Sequence, residues 1–296
     1  MIDLDALNRD FGIAGEVRFT WNAELGGPVV DIASNAAEAR IALKGAQVLG
    51  WTPAGEGPVL WVSPVARLDA PKAVRGGVPV CWPWFADHPS DPQQPFHGLV
   101  RTLDWEPVAV TGGGATIRLS FTLPDATNPA LPLRPQLDVE VGSTLRITLT
   151  THNDGAAAVT LTEALHTYFA VADVGQVAIE GLDGVTYLDK VAAFARTQQT
   201  AAVGFAGEVD RIYLSGGPVQ IVDPGLGRTI AVRSAGSGAT VVWNPGAERA
   251  GRMPDVPGES WRGYVCAETA NAADAAVRID PGGRHTMVAE ITVRRG

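Results

Sequence analysis

The chain has 296 residues, of which 46% are hydrophobic and 19% are charged, and its formal net charge is −9 at pH 7. This composition supplies enough apolar residues for a core and excludes a disordered chain, which is poor in them. The negative charge argues against a nucleic-acid-binding protein, since such proteins carry basic surfaces that neutralise phosphates.

The sequence shows no signal for export, membrane insertion or metal binding. The acidic start Met1-Ile2-Asp3 lacks the basic flank and apolar run of a secretory signal. No apolar run reaches the roughly 18 residues that would suggest a membrane span. Cys81 and Cys266 form no CxxC pair, and the histidines show no HxH or HExxH spacing. We therefore expect a cytoplasmic protein without disulfides, a metal or a membrane partner.

The first predicted element is a short helix over residues 3–11, with Asp3 as its N-terminal cap. Most later elements are predicted strands, because apolar and polar residues alternate with a period of two. The alternation runs through residues 116–123, 145–150 and 159–162, and shorter runs recur at 16–21, 39–44, 228–233, 239–243, 262–267 and 286–294. The alanine-rich residues 188–206 predict a loop or a turn of helix.

Clusters of glycine and proline at residues 112–114, 216–218 and 281–283 mark turns between the strands. Asn153-Asp154-Gly155 lies between two alternating runs and predicts a β-hairpin. Neither a repeat nor a linker divides the chain. We therefore expect one domain over residues 1–296, and the fold class is all-β, a large antiparallel β-sandwich.

Residues 71–105 depart from the strand pattern, because they contain three tryptophans together with Arg75, Arg101 and two histidines. Aromatic rings stack on the C–H faces of sugars, and arginine binds anionic oxygens in a bidentate manner. Gly76 and Gly77 would let the backbone approach a ligand closely. A long loop stiffened by proline, with its tryptophans buried in the core, is the alternative interpretation.

Three further residues are candidates for chemistry, each with a structural alternative. His166 follows an alternating strand and could transfer protons near neutral pH, or could be a buried structural histidine. Glu268 follows an apolar strand and could point into a cleft or into solvent. Asp210 opens a strand and could simply cap it. The other histidines, His88, His152 and His285, are interpreted as surface or structural residues.

Several runs together resemble the glucose-6-phosphate 1-epimerases, a branch of the aldose 1-epimerase group. The matching runs, in the order of that family, are RGGVPVCWPWF at 75–85, HGLVR at 97–101, LHTYF at 165–169, DRIY at 210–213, VWNP at 242–245 and CAE at 266–268. The resemblance covers about residues 60–270. It implies a galactose-mutarotase-like β-sandwich that interconverts the α and β anomers of an aldohexose 6-phosphate, without cofactor or metal.

The resemblance also implies roles for individual residues. It identifies His166 and Glu268 as the catalytic pair, and it places Asp210, Arg75 and Arg101 in substrate binding, with His97 in the same pocket. One departure concerns Phe96, since some members of the family carry glutamine immediately before the His-Gly pair. Phe96 removes one potential polar contact with the sugar or the phosphate.

The implied reaction needs a base at the anomeric hydroxyl and an acid at the ring oxygen. Glu268 would be the base and His166 the acid, and their ordinary pKa ranges allow an ionised Glu268 and a protonated His166. Because the whole chain is acidic, a phosphorylated substrate needs local cations, which Arg75 and Arg101, helped by Lys72, could supply.

We expect a small-molecule sugar phosphate as the partner and a monomeric protein. The alternatives are an epimerase of non-phosphorylated aldoses, a non-catalytic carbohydrate-binding β-sandwich, and a regulatory protein that keeps the fold without the activity.

Overall fold

Most of the predicted strands lie in two large antiparallel sheets in the computed structural model, which describes residues 2–124 and 132–296, and the others lie in a four-stranded and a two-stranded sheet. The helices are α1 (Leu4–Phe11) and α2 (Gly246–Ala250), with short 3₁₀ helices at Val100–Thr102, Val174–Gln176, Ser260–Gly263 and Ala273–Ala275. In chain order the strands are β1 (Val17–Asn22), β2 (Gly27–Ala33), β3 (Ala37–Ala42), β4 (Val48–Pro53), β5 (Val80–Cys81), β6 (Glu106–Gly113), β7 (Thr116–Thr122), β8 (Leu133–Val141), β9 (Leu145–Asn153), β10 (Val159–Leu161), β11 (Glu163–Leu165), β12 (Tyr168–Ala170), β13 (Ala178–Glu180), β14 (Thr186–Asp189), β15 (Ala195–Gln198), β16 (Val209–Tyr213), β17 (Val219–Asp223), β18 (Arg228–Ala235), β19 (Ala239–Asn244), β20 (Tyr264–Asn271), β21 (Val277–Ile279) and β22 (Arg284–Arg295).

Two eight-stranded sheets face each other. The first, which we name the cleft sheet, has the order β15-β14-β16-β19-β20-β11-β5, and β12 also pairs with β20. The second, the back sheet, has the order β13-β17-β18-β22-β9-β8-β7-β6. One apolar cluster contains Leu165 and Ala267 of the cleft sheet together with Leu149 and Ile291 of the back sheet. The two sheets therefore enclose a common core, which confirms the predicted β-sandwich.

Burial alternates along the back sheet as the sequence predicts. Every second residue of β9 is buried, and the buried positions of β7 are the apolar residues Ile117, Leu119 and Phe121. The central strands β19 and β20 of the cleft sheet are instead buried at every position. One side of these strands meets the sandwich core, and the other side packs against loop residues such as Phe85 and Val256.

The predicted hairpin at Asn153-Asp154-Gly155 is wrong. β9 pairs with β8 and β22, whereas β10 pairs with β21. Asn153 still organises a turn, because its Oδ1 accepts from the Gly155 backbone at 3.0 Å and its Nδ2 donates to the Ile279 carbonyl at 3.0 Å. The turn directs the chain towards β21 instead of folding it back on β9.

Other local predictions are confirmed or refined. The carboxylate of Asp3 accepts from the backbone N–H of Ala6 at 3.0 Å and caps α1. The alanine-rich residues 188–206 contain the end of β14 and all of β15, which pair as an antiparallel ribbon. Glu268 lies inside β20 and not beyond its end, because this strand continues to Asn271.

Within residues 2–124 and 132–296, none of the helices combines the length and apolar character that a membrane crossing requires. Cys81 and Cys266 are both free and buried in the cleft sheet. Burial raises the pKa of the Cys81 thiol to about 12, so this thiol stays protonated at neutral pH.

Candidate active site

The six side chains that the sequence predicts for the site line one cleft of about 280 Å³. They are His166, Glu268, Asp210, Arg75, Arg101 and His97. The remaining wall consists of Phe85, Phe96, Tyr168, Lys190, Val241, Trp243, Arg249 and Met253. Lys72 is exposed and does not line this cleft, so the predicted help from Lys72 is wrong. A larger groove of about 830 Å³ shares Arg249 and Met253 with the cleft but contains none of the six predicted residues.

His166 and Glu268 are brought together by the pairing of β11 with β20. Leu165 lies opposite Thr269 in this register, and the backbone N–H of His166 donates to the Pro79 carbonyl at 3.0 Å. As a result, Nε2 of His166 lies 3.4 Å from Oε1 of Glu268. Only 7% of His166 and 1% of Glu268 remain exposed. The histidine and the carboxyl group, far apart in the sequence, therefore form a close pair on the cleft wall.

Each member of this pair has one buried polar atom without a hydrogen-bond partner among the described residues. These atoms are Nδ1 of His166 and Oε2 of Glu268. Buried polar atoms are normally paired, because an unpaired one costs about 1–3 kcal/mol.

Burial opposes the charged form of both groups. It lowers the pKa of His166 well below its ordinary value, and the positive charges of Arg101 and Arg75 lower it further. Burial also raises the pKa of Glu268 well above its ordinary value, and the nearby Asp210 adds to this rise. The ordinary ranges assumed from the sequence therefore do not apply. Both shifts favour the uncharged form of the group concerned.

Arg75 and Arg101 are held in different ways. Nε of Arg75 donates to Asp255 Oδ2 at 2.6 Å, and its Nη1 donates to the Tyr168 hydroxyl at 3.0 Å. Arg101 donates through Nη2 to the Phe96 carbonyl, and no ion pair with a carboxylate is found for it among the described residues. The charge of Arg101 is therefore less compensated than that of Arg75.

The lining contains four cationic side chains and two acidic ones. The cations are Arg75, Arg101, Lys190 and Arg249, and the acids are Asp210 and Glu268. Lys190 donates to Asp210 Oδ2 at 2.9 Å, and Arg249 is paired with Glu208 outside the cleft. Sequence reasoning missed Lys190 and Arg249, because neither lies in a recognisable motif. Arg75 is paired with Asp255, so Arg101 is the cation of the lining that has no carboxylate partner among the described residues, and it suits an anionic ligand.

His97 forms part of the wall as a neutral side chain. Its Nδ1 accepts from the Ala86 backbone at 3.1 Å, and its ring meets that of His166 edge-on with centroids 5.5 Å apart. Burial lowers the pKa of His97 far below its ordinary value. A Cβ at the adjacent Gly98 would lie 2.0 Å from the Trp82 carbonyl oxygen, so glycine is required there.

The aromatic residues of the cleft differ from those expected. Trp82, Trp84 and Trp105 are buried at 4%, 5% and 1% exposure and none of them lines the cleft. For these three tryptophans, the structural interpretation is the correct one. Tyr168 and Trp243 line the cleft instead, and the Tyr168 ring stacks on His166 with centroids 4.8 Å apart.

Three side chains could in principle offer ligands to a metal ion. Donor atoms of His166, Cys266 and Glu268 all lie within 4.8 Å of one another. However, Arg101, Arg75 and Lys190 all oppose positive charge at His166. Burial also raises the pKa of the Cys266 thiol well above its ordinary value. The electrostatics of the cleft therefore disfavour a divalent cation.

Comparison with known proteins places this geometry in a family. The family model described as aldose 1-epimerase matches residues 28–292. An Escherichia coli (strain K12) protein named "putative glucose-6-phosphate 1-epimerase" is 36% identical over 244 residues, which cover 80% of this chain and 81% of that protein.

Solved structures agree with this result. The crystal structure of a "putative mutarotase" from Salmonella typhimurium is 31% identical, with a TM-score of 0.87 over 95% of this chain and 94% of that one. A galactose mutarotase-like protein from Clostridium acetobutylicum shares the fold at 12% identity, with a TM-score of 0.72 over 95% of this chain and 98% of that one. The fold, the motifs and the extent of these matches show that the chain is an isomerase of the aldose 1-epimerase family.

Proposed function

We propose that the protein interconverts the α and β anomers of a D-hexose 6-phosphate, with glucose 6-phosphate as the favoured substrate. The observation that carries this proposal is the pair His166–Glu268, 3.4 Å apart, in a cleft where cations outnumber acids four to two. The name of the Escherichia coli relative supports the same substrate.

The reaction opens and recloses a hemiacetal ring. Glu268 removes the proton of the anomeric hydroxyl while His166 protonates the ring oxygen, and the C1–O5 bond breaks to leave a free aldehyde. Rotation about the C1–C2 bond presents the other face of the carbonyl, and O5 then attacks it as both proton transfers reverse. Each positioned proton-transfer group accelerates such a step by about 10²–10⁴-fold.

The phosphate binds where positive charge is least compensated. Arg101 has a buried Nε without a hydrogen-bond partner among the described residues, and the guanidinium of Arg75 faces the same cleft. A guanidinium fork matches phosphate oxygens in geometry and charge. Asp210, whose carboxylate accepts hydrogen bonds, is suited to the sugar hydroxyls.

The negative charge of the bound substrate also changes the pKa of His166 in the catalytic pair. Arg101 and Arg75 are the leading charges that lower the pKa of His166. A bound phosphate dianion offsets both of them, so the pKa of His166 rises when substrate binds. Binding of the phosphate therefore shifts the pair towards the imidazolium and carboxylate that ring opening requires.

Anomer exchange measured by NMR on glucose 6-phosphate and on glucose tests the proposal. We expect the purified protein to accelerate exchange of both sugars above the buffer rate, with the larger kcat/KM for glucose 6-phosphate. Faster exchange of free glucose would instead support an epimerase of non-phosphorylated aldoses. Binding without exchange would indicate a carbohydrate-binding protein.

A further inference from the structure

Lys190 is a cleft residue that the proposed proton transfers and phosphate contacts do not use. It follows β14 directly, and its backbone N–H donates to the Asp210 carbonyl at 2.9 Å. Its Nζ donates to Asp210 Oδ2, also at 2.9 Å. Two hydrogen bonds, one from the backbone and one from the side chain, thus join Lys190 to the same aspartate.

The surroundings of this ion pair direct the ammonium group towards Asp210. The side chains of Lys190 and Asp210 are 19% and 8% exposed. The Nζ atom of Lys190 also lies 5.9 Å from the centre of the Phe85 ring. A buried carboxylate without a partner would be costly, and among the described residues Lys190 provides the side-chain hydrogen bond to Asp210.

Asp210 also lies close enough to Glu268 for the charge of Asp210 to raise the pKa of Glu268. Burial raises the pKa of Asp210, and Lys190 is the strongest influence in the opposite direction. Without this ammonium group, protonation would remove the charge of Asp210 and turn an acceptor of hydrogen bonds into a donor. The state of Asp210 therefore depends on Lys190.

We propose that Lys190 is a positioning residue that fixes Asp210 as an ionised hydrogen-bond acceptor for the hydroxyl groups of the sugar, and that it does not bind the phosphate. This inference deepens the proposed function and rests on it. It divides the cations of the cleft into two groups. Arg101 and Arg75 recognise the phosphate, whereas Lys190 supports recognition of the ring.

The variants K190M, D210N and the double variant K190M/D210N test this division by anomer exchange. Because Lys190 acts through Asp210, we expect each single variant to lower kcat/KM for glucose 6-phosphate by about tenfold to a hundredfold. The double variant should be no worse than D210N, since residues that act together are not additive. K190R, which keeps the charge, should recover part of the loss, and K72M at an exposed position should match the wild type.

The opposite result in the same experiment would overturn the inference. If Lys190 bound the phosphate directly, K190M would lower kcat/KM for glucose 6-phosphate much more than kcat/KM for glucose. The losses of K190M and D210N would then multiply in the double variant.

A titration of Asp210 by ¹³C NMR tests the same idea without catalysis, and so separates it from a failure of the proposed function. With aspartate labelled at the carboxyl carbon and D210N used to assign the signal, K190M should raise the pKa of Asp210 relative to the wild type. K72M should leave it unchanged. An unchanged titration in K190M would overturn the inference even if the wild type exchanged both sugars.

Discussion

In the cleft, Nε2 of His166 lies 3.4 Å from Oε1 of Glu268, whereas between the two sheets Nε2 of His285 lies 3.3 Å from Oε1 of Glu163. Both glutamates are buried, with exposures of 1% and 0%. In each of them Oε2 has no hydrogen-bond partner among the described residues. The two pairs match in residue types, in distance and in the burial of the glutamate, but the His285 side chain is 18% exposed whereas that of His166 is 9% exposed.

The pKa values of the two histidines nevertheless change in opposite directions. Burial, Arg101 and Arg75 lower the pKa of His166. The hydrogen bond with Glu163 raises the pKa of His285. Asn271 also supports the second pair, since its Nδ2 donates to Glu163 Oε1 at 3.1 Å. The burial of the histidine and the charges around it, and not the residue types of the pair, thus suit a pair to proton transfer or to structural support.

The largest expected effect is a loss of activity confined to the cleft pair. H166Q and E268Q should each lower kcat for anomer exchange by about 10²–10⁴-fold, because each removes one proton-transfer group. H285Q, which changes the other pair, should keep wild-type exchange at a temperature where it is folded. Exchange by NMR and folding by circular dichroism are the measurements. Near-normal turnover of E268Q would remove Glu268 from the mechanism.

Removing Arg101 from the cleft tests whether its charge distinguishes the pair His166–Glu268 from the pair His285–Glu163. R101M should lower kcat/KM for glucose 6-phosphate by about tenfold to a hundredfold, since a hydrogen bond to a charged group contributes about 1.5–3 kcal/mol. Exchange of glucose should change much less. R101M should also raise the pKa of His166 in the free enzyme, visible in the histidine signals of an NMR titration. An equal loss on both sugars would contradict the role of Arg101 in phosphate binding.

A change in the pair His285–Glu163 should lower the stability of the fold. H285Q should lower the free energy of unfolding by about 1–3 kcal/mol, because it weakens the contact with the buried Glu163. Urea unfolding followed by circular dichroism measures this change. H152Q is the matched control, since His152 is a half-buried histidine on the adjacent strand β9. A loss of stability in H152Q as large as that in H285Q would contradict a specific role for the Glu163 contact.

The smallest effects are opposite pH dependences of stability. The raised pKa of His285 contributes stability that is present below the unfolded value near 6.5 and is lost as pH rises through the folded value. The lowered pKa of His166 has the opposite sign, because unfolding takes up a proton below pH 6.5. When the folded and unfolded pKa of a group differ by one, the free energy of unfolding changes by about 1.4 kcal/mol across that pH range.

Unfolding free energies from pH 5 to pH 8 should reveal both signs. The advantage of the wild type over H285Q should shrink as pH rises. The stability of the wild type relative to H166Q should fall as pH decreases below 6.5. If the unfolding free energies of H285Q and H166Q, each relative to the wild type, changed with pH in the same direction, the pKa values of the two histidines would not be shifted in opposite directions.

Much of the fold could be predicted from local sequence, since the alternating residues 116–123 and 145–150 became β7 and β9. Which strands pair with each other was harder to predict from the sequence. The turn residues at Asn153 predict a hairpin, but β10 gains its hydrogen bonds from β21, more than a hundred residues further along the chain. Pairing over such distances depends on the whole sandwich and leaves little trace in either strand.

The candidate site shows the same limit. All six side chains predicted from the resemblance and the residue types, including His166 and Glu268, line the cleft. Lys190 was missed because it meets Asp210 only through the pairing of β14 with β16. The protonation of His166 could not be predicted either, because it depends on burial and on Arg101 and Arg75 as neighbours in space.

Strand β20 carries Glu268 towards the cleft and, three residues later, Asn271 towards the other pair. Successive side chains of a strand point to opposite faces, so a slip of one residue would exchange these surroundings. Such a misaligned sheet would bury the wrong groups and also lose its acid and base. Recovered turnover after refolding would therefore measure how many molecules have regained the correct alignment of β20, and not merely how many are compact.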